Sequence, residues 1–407
     1  MLIKKCRSCK SNKLVETFSL GYQKLTGVFP KSKKEIIPGG DLSLVLCKNC
    51  TLLQLKQSFD SNEMYGENYG YMSSLNSSMV QHLKKKSLEL SNFLKLKKND
   101  IILDIGSNDG TFLSFFSKNK KLIGIDPTII KFKNKYRKDI IQISDFFSYE
   151  KIKKILNKKK IRLITTISMF YDLEDPVLFA KDVERLLEKN GVWHLEQSYM
   201  PTMLKNNSFD TICHEHLEYY SLKSIKFILN KAKLRIIDIQ LNLVNGGSFS
   251  LTVCKKNSKF KTNHSVIEWM EKEEKKMKLQ NKEIYENFFK SIKNQKNTLK
   301  NLLIKLKKEK KKVVGYGAST KGNVILQYGK INSKILPYIA EVNKFKFNKF
   351  TPGTKIKIIP ESKLRKIDPD YILVLPWHFK DFIMKKERKF LAKRKKIIFP
   401  LPVVEIC

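Results

Sequence analysis

Four cysteines in two pairs are the residues whose spacing points most directly to chemistry. Cys6 and Cys9 form one Cys-x-x-Cys pair, and Cys47 and Cys50 form a second. Two intervening residues let both thiolates of a pair face one ion, and two pairs complete a tetrahedral zinc site. Four protein ligands close such a site, so we expect a structural zinc rather than a catalytic one, with unmetallated buried thiols as the alternative. The long interval from position 10 to 46 predicts an extended loop between the pairs.

A glycine-containing loop follows the predicted strand 101–105 and opens a helix. It reads Asp104-Ile-Gly106-Ser-Asn108-Asp-Gly110, and Asp126 ends the next predicted strand. Glycines let the backbone approach a ligand closely, and an acid at the end of the second strand can accept hydrogen bonds from ribose hydroxyls. A dinucleotide site and a purely structural turn are alternatives. The spacing resembles the S-adenosylmethionine loop of class I methyltransferases more than a pyrophosphate loop.

A third motif, Cys213-His214-Glu215-His216, places three titratable groups in a row. The two histidines are two residues apart and cannot share a helix face, so this is not the zinc-protease motif. A histidine near neutral pKa suits a general base, and a glutamate can orient it or accept a hydrogen bond. A second metal site or a polar loop remains open from spacing alone.

Predicted strands and helices alternate from Asp100 onward, which favours a doubly wound α/β sheet with parallel strands. A helix over 77–96 precedes this region, and a highly charged helical stretch follows at 265–311. A second, smaller α/β unit opens at Lys312, although Pro337 would confine the predicted strand 335–339 to a sheet edge. The domains expected are 1–62 (zinc-binding), 63–245 (catalytic) and 246–407 (C-terminal α/β).

Composition narrows the class of protein. The 407 residues carry a net charge of +41, but only eight of the 80 basic residues are arginine, and the lysines are spread along the chain. This pattern does not favour a specific nucleic-acid partner. No apolar run is long enough for a membrane helix, and the first residues lack the apolar core of a secretory signal. We expect a cytoplasmic monomer without membrane association.

Several motifs, in order, resemble the sugar-nucleotide C-methyltransferases, which methylate C3 of a dTDP-4-keto-6-deoxyhexose. The resemblance spans essentially the whole chain. Besides the motifs above, it rests on Tyr69-Gly-Tyr71-Met-Ser-Ser, Asn245-Gly-Gly-Ser248, Tyr316-Gly-Ala-Ser-Thr-Lys321-Gly-Asn323 and Thr351-Pro-Gly353.

The resemblance implies S-adenosylmethionine and Zn²⁺ as cofactors, a nucleotide-sugar as substrate, and a role for each matched residue. It implies His216 as base, Glu215 as its partner or a sugar ligand, and one of Tyr69 and Tyr71 in the active site. Lys321 and Asn323 are implied to help hold the nucleotide-sugar. The implied methyl-donor ligands are Asp104, Gly106, Asn108, Gly110, Asp126, Asp145 and Phe146, with Cys6, Cys9, Cys47 and Cys50 on zinc.

Two positions depart from the family pattern. Asp172 stands where the family often has histidine, and Cys213 stands where it often has tyrosine. Asp172 is expected either to be protonated through burial or to orient a sugar hydroxyl. The sequence thus predicts methylation of a keto-sugar carbon through an enolate. An O- or N-methyltransferase of nucleotide-sugars, a non-enzymatic zinc-ribbon module that binds nucleic acid, and an NAD-dependent dehydrogenase are the alternatives.

Overall fold

The computed structural model describes residues 1–60, 64–65 and 70–407. Tyr69, one of the two candidate tyrosines, lies outside these residues. Three sheets form within the described part of the chain, with four, seven and six strands. None of the helices there is long and apolar enough to cross a membrane.

The N-terminal sheet carries the cysteine pairs and borrows one strand from far along the chain. Its strands are β1 Leu14–Lys24, β2 Gly39–Cys47, β3 Leu53–Leu55 and β9 Glu218–Tyr219, all antiparallel in that order. The expectation of an extended loop between the cysteine pairs was wrong, because β1 and β2 occupy about half of that interval as a paired hairpin. The connection 25–38 between them contributes Gly27 and Phe29 to the lining of a cavity described below.

The central sheet has seven strands in the order β10-β11-β8-β7-β4-β5-β6. The strands β4 to β8 are parallel, and β11 runs antiparallel between β8 and β10. This confirms the doubly wound α/β sheet of class I methyltransferase type. Its strands are β4 Ile101–Ile105, β5 Lys121–Ile125, β6 Ile140–Ile143, β7 Ile161–Ile167, β8 Leu187–Ser198, β10 Leu234–Asn242 and β11 Ser248–Lys255.

Helices cover the central sheet, and the first of them shows how a capping residue fixes a helix end. The first begins after Asn76, whose side chain accepts hydrogen bonds from the backbone N–H groups of Ser78 and Met79. Asparagine is among the best residues at this position because it satisfies donors that the helix leaves free. The helices are α1 Ser77–Leu94, α2 Thr111–Ser114, α3 Ile129–Phe132, α4 Tyr149–Leu156, α5 Pro176–Leu186, α6 Met200–Lys205 and α7 Leu222–Lys231.

The C-terminal sheet has the order β14-β13-β12-β15-β16-β17, parallel except for the last strand. Its strands are β12 Val313–Tyr316, β13 Tyr338–Glu341, β14 Lys357–Pro360, β15 Tyr371–Val374, β16 Lys396–Phe399 and β17 Glu405–Ile406. Its helices are α10 Thr320–Tyr328, α11 Glu361–Ile367, α12 Lys380–Lys386 and α13 Arg388–Leu391. The predicted edge strand was wrong: β13 begins after Pro337, so the proline leaves the strand free to pair on both sides.

Two helices join the second and third sheets, α8 His264–Lys276 and α9 Lys282–Lys308. The buried stripe of α9 packs on β1 as well as on the C-terminal sheet, and the ring of Phe18 lies 5.4 Å from that of Phe288. One apolar core therefore runs from the N-terminal sheet into the C-terminal sheet. Packing at this density holds the two ends of the chain in a fixed relation to each other.

Candidate active site

The four paired cysteines meet in one place. Their sulfur atoms all lie within 4.8 Å of one another, which fits tetrahedral thiolate coordination of a zinc ion. Gln54 Nε2 donates to Cys6 Sγ over 3.2 Å, a second-shell bond of the kind that orients a metal ligand. The donor set is soft and complete, so these residues suit zinc in a structural role.

The glycine-containing loop lines a cavity of about 320 Å³ at the carboxyl ends of β4 and β5, here termed the loop cavity. Gly106 has φ 76°, and a Cβ on it would lie 2.8 Å from Cγ of Met169. A side chain at this position would clash with Met169 and strain the backbone, so glycine is required at this edge of the cavity. The volume falls at the low end of the roughly 300–1,000 Å³ typical of small-molecule sites.

Two buried acids form the polar side of the loop cavity. Asp126 accepts hydrogen bonds from Asn108 N and from both Thr128 N and Thr128 Oγ1. A carboxylate has about four acceptor positions, so one remains for a ligand hydroxyl. Asp104 accepts from Thr165 Oγ1 at 2.6 Å, and burial raises its pKa to about 7. A cationic ligand beside Asp104 would favour its ionised form.

The far end of the loop cavity is aromatic. Phe146 lines it and is 40% exposed, so one ring face is available for stacking on a flat heterocycle. Asp145 lines it as well and pairs with Lys151 at 2.7 Å, which lowers the pKa of Asp145. The Asp145 carboxylate is therefore charged and oriented, next to a ring that can hold a nucleobase.

Asn108 lines the loop cavity, and its side chain also bonds to the segment that covers the cavity. Its Oδ1 accepts from Ser73 N at 3.0 Å, and its Nδ2 donates to the carbonyl of Tyr71 at 3.3 Å. Asp109 adds a bond from Ser74 N to its Oδ2 at 3.0 Å. The Asn108 side chain thus holds the segment around Tyr71 over the loop cavity.

A second cavity, of about 440 Å³, lies where the three sheets meet and is here termed the junction cavity. All three parts of the chain line it: the β1–β2 connection through Gly27, the central sheet through Glu215 and His216, and the C-terminal unit through Lys321 and Lys346. The two cavities share a wall made of Tyr65, Tyr71, Met79, Ser168 and Asp172. Ligands in the two cavities would therefore face each other across these side chains.

His216 is held in the tautomer that a base requires. Its Nδ1 lies 2.7 Å from the carbonyl oxygen of Thr211. A carbonyl can only accept, so Nδ1 carries the proton and Nε2 keeps its lone pair. Burial, with a smaller contribution from the Lys321 charge, lowers the pKa of His216 to about 3. The imidazole is neutral near pH 7, and its ring packs 4.1 Å from that of Tyr171.

Glu215 is anchored by the N-terminal region rather than by His216. Thr26 Oγ1 donates to Glu215 Oε2 at 3.4 Å, and burial raises the pKa of the Glu215 carboxyl. The neighbouring His214 points away from both cavities, since it is fully buried and its Nε2 lies 3.2 Å from the Gln23 carbonyl. Thr211, and not Glu215, orients His216 through Nδ1, while Glu215 lines the junction cavity.

Asp172 reaches the shared wall with one oxygen to spare. Tyr65 donates to Asp172 Oδ2 at 2.7 Å, whereas Asp172 Oδ1 is buried without a hydrogen-bond partner. Burial raises the pKa of Asp172 well above its usual range, and the nearby Glu215 carboxyl raises it further. A protonated acid can donate a hydrogen bond, and a buried polar atom without a partner is costly. Tyr65 was missed by sequence reasoning because its partner lies more than a hundred positions away.

Lysines supply the charge in the C-terminal half of the junction cavity. Lys346 Nζ donates to the carbonyl of Ala318 at 2.8 Å, and Lys321 Nζ donates to that of Asn245 at 2.7 Å. Each ammonium keeps further donors for a ligand. Burial lowers the pKa of both groups, an effect that a bound anion would offset.

Some predicted residues lie outside both cavities. Gly110 starts α2 with φ 75° and faces Tyr136, so it serves the turn rather than a ligand. Asn323 is fully buried, and its Nδ2 donates to the Thr26 carbonyl at 2.7 Å. Pro376 and His378 line the junction cavity. Trp377 between them instead donates to Asp210 at 2.8 Å.

Comparisons with known proteins agree with this arrangement. Three family models match consecutive parts of the chain: a zinc binding domain at 6–65, a methyltransferase domain at 79–239, and a C-methyltransferase C-terminal domain at 243–402. The C-methyltransferase NovU of Streptomyces niveus is 27% identical over 406 residues, covering 98% of this chain and 96% of NovU.

Solved structures match the central region alone. An S-adenosylmethionine-dependent methyltransferase of Clostridium acetobutylicum is 15% identical, with a TM-score of 0.35, over 43% of this chain and 92% of its own. The plantazolicin methyltransferase BpumL, in a complex that contains SAH, is also 15% identical, with a TM-score of 0.35, over 48% of this chain and 92% of its own. At such scores, neither carries an argument about how the site works.

Proposed function

Since the chain is an S-adenosylmethionine-dependent methyltransferase with a C-methyltransferase C-terminal domain, we propose that it methylates a carbon of a nucleotide-linked keto-sugar. The carbon proposed is C3 of a 4-keto-6-deoxyhexose. The observation that carries the proposal is the contact between the two cavities: His216, whose imidazole is neutral, lines the junction cavity, and Asp172, with a spare oxygen, lies in the wall that this cavity shares with the loop cavity. The functional division proposed is 1–62 for zinc, 63–245 for methyl transfer and 246–407 for nucleotide-sugar contacts.

The loop cavity suits the methyl donor by the chemistry of its wall. Asp126 has an acceptor position left for a ribose hydroxyl, Phe146 offers a ring face to adenine, and Gly106 allows close approach. Asp104 places a buried carboxyl where a cationic ligand would be stabilised. S-adenosylmethionine supplies an electrophilic methyl group when it is bound there. We infer that Asn108 acts through the Tyr71 segment instead of touching the donor.

His216 is the proposed base. A C–H bond beside a ketone is acidic because its electron pair can move onto the carbonyl oxygen, which gives an enolate. His216 Nε2 accepts the proton, and the Thr211 carbonyl keeps the ring oriented while charge develops on it. General base catalysis of this kind contributes roughly 10²–10⁴-fold to a rate.

Asp172 is the proposed hydrogen-bond donor to the oxygen that becomes negative. Tyr65 donates a hydrogen bond to Oδ2 of Asp172, and this bond also fixes the direction in which Oδ1 points. A carboxylic acid held neutral by burial can donate to a developing oxyanion, and such donors act most strongly where water is excluded. Tyr71 lines both cavities and is proposed to close the site over the reacting carbon.

The lysines favour a substrate with a diphosphate. Lys321 and Lys346 line the junction cavity from α10 and from the loop after β13. The described residues give neither of them an ion pair, although the Asp210 and Glu341 carboxyls act on them electrostatically. A nucleoside diphosphate would supply the anion, while its sugar would extend toward Glu215 and His216. Glu215 is placed to accept a hydrogen bond from a sugar hydroxyl.

A product assay tests the proposal. Purified protein, S-adenosylmethionine and a panel of dTDP-, UDP- and GDP-linked 4-keto-6-deoxyhexoses are incubated, and products are located by carbon NMR. We expect a new methyl group on the carbon beside the ketone. A methyl group on oxygen or nitrogen would replace this function with the alternative methyltransferase activity, and no methyl transfer to any member of the panel would refute the substrate class.

A further inference from the structure

The connection between β1 and β2 carries a turn that no motif identified. It leaves the zinc-bearing sheet after Lys24 and reaches the junction cavity, where Gly27 is part of the lining. Thr26 is fully buried, although its side chain carries a hydroxyl. Residues that serve only a loop are normally exposed, so the burial of this turn calls for a partner on the other side.

The partner is the Glu215 carboxyl, which the turn contacts through both oxygens. Thr26 Oγ1 donates to Oε2 at 3.4 Å, and a Cβ built on Gly27 would lie 2.5 Å from Oε1. Gly27 does not have a left-handed φ, so backbone conformation does not require glycine here. Glycine is required at position 27 because the Glu215 carboxyl oxygen lies too close to leave room for a Cβ.

The turn is itself held from the C-terminal unit. Asn323 Nδ2 donates to the Thr26 carbonyl at 2.7 Å, and the side chain of Gln327 bonds to both Lys24 N and Lys24 O at 2.8 and 3.1 Å. Both side chains come from α10, the helix that also carries Lys321. The helix α10 therefore positions two features of the junction cavity, namely the turn that contacts Glu215 and the side chain of Lys321.

We propose that Thr26 and Gly27 are positioning residues that hold the Glu215 carboxyl for the sugar half of the reaction. The inference rests on the proposed function, and it gives the N-terminal region a part in the chemistry beyond its zinc. The methyl-donor half does not depend on the turn, because neither residue lines the loop cavity. The effect of disturbing the turn should therefore fall on the sugar half alone.

The first test removes the hydroxyl without changing the shape of the side chain. Thr26→Val should lower kcat by about three- to tenfold, since small misplacements of groups at a reacting centre cost rate. Thr26→Ser keeps the hydroxyl and should therefore retain most of the kcat of the unaltered protein. The affinity for S-adenosylmethionine, measured by calorimetry, should stay within a factor of two in both variants.

The second test adds a methyl group and then makes room for it. Gly27→Ala should lower kcat by about 100-fold, the scale of a misplacement near one ångström. Glu215→Asp shortens the opposing side chain, so the double variant should be more active than Gly27→Ala alone. If the double variant instead loses the product of the two single effects, the contact does not position Glu215 and the proposal fails.

A half-reaction separates this inference from the proposed function. Exchange of the sugar C–H with solvent in deuterium oxide, with a dTDP-4-keto-6-deoxyhexose and without S-adenosylmethionine, reports proton abstraction only. Absence of exchange in the unaltered protein would count against the proposed function. Normal exchange in the unaltered protein and equal exchange in Thr26→Val and Gly27→Ala would overturn the positioning role and leave the proposed function standing.

Discussion

The loop cavity and the junction cavity differ in how much of the chain each one needs. The loop cavity is built by strand ends of the central sheet and by the segment around Tyr71, all within residues 65–179. The junction cavity takes lining from residues 27 to 386. A site made by one sheet can be recognised from one motif and can bind its ligand alone, whereas a site between sheets exists only once all of them are in place.

The two cavities also differ in charge. Acids line the first, with Asp104 and Asp126 at its base, and lysines line the C-terminal side of the second. A cationic donor and an anionic acceptor would thus be sorted by sign before they meet at the shared wall. The following predictions test whether the two halves can be disturbed separately.

The largest effect is expected from removal of His216, and it should fall on the sugar half of the site and spare the methyl-donor half. His216→Ala should reduce turnover about 10³-fold, because it removes the proposed general base. Calorimetric affinity for S-adenosylmethionine should stay unchanged, since His216 lines the junction cavity only. His264→Ala, on the exposed start of α8, is the matched surface control. Normal turnover combined with lost donor affinity would contradict the division.

Loss of zinc should damage the junction cavity from a distance. Cys50→Ser is expected to lower turnover about 100-fold, because the cluster stabilises the sheet whose third strand pairs with β9 just after His216. Donor affinity should change less than threefold. Cys407→Ser alters a cysteine outside the cluster and is the control. Equal losses in both halves would show that zinc stabilises the whole chain.

Asp172 stands between the halves and should show an intermediate effect. If it donates as a neutral acid, Asp172→Asn retains a donor of similar shape and should lose no more than about tenfold in kcat. Asp172→Ala should lose about 100-fold, the scale of one lost oxyanion donor. A large loss in the asparagine variant would mean that the ionised form is required, and no loss in either variant would make the residue structural.

The smallest effect belongs to the loop cavity alone. Burial raises the pKa of Asp104 to about 7, so the empty site holds a proton below that pH. A cationic donor favours the ionised form, so its affinity should fall as pH drops from 8 to 6, by up to about tenfold. Calorimetry in buffers of different ionisation enthalpy would detect the released proton. Asp104→Asn should bind weakly at every pH, and a pH-independent affinity in the unaltered protein would refute the linkage.

Local patterns predicted the loop cavity and most of the fold. The strands 101–105 and 140–143 and the start of α1 at Ser77 are as expected, because each depends on a short apolar run or a capping residue. The cysteine cluster was predicted as well, because each Cys-x-x-Cys pair is also a short local pattern. Asn108 lines the loop cavity, but its bonds to Ser73 and Tyr71 were not predicted, because sequence spacing does not show which neighbour a side chain faces.

Most of the junction cavity could not be predicted in this way. The contacts of Thr26 with Glu215, of Tyr65 with Asp172 and of Asn323 with Thr26 join residues that are 107 to 297 positions apart. No periodicity or spacing encodes such pairs. They follow from the shared core around α9 and from the β3–β9 pairing, which only the assembled structure reveals.

The strand borrowed by the N-terminal sheet has a consequence during synthesis. Leu53 and Leu55 in β3 are fully buried, yet their partner strand begins at Glu218. A ribosome adding about 5–20 residues per second needs roughly 10–30 s to reach that strand. For this interval an apolar strand edge stays unpaired, which is the kind of surface that chaperones recognise.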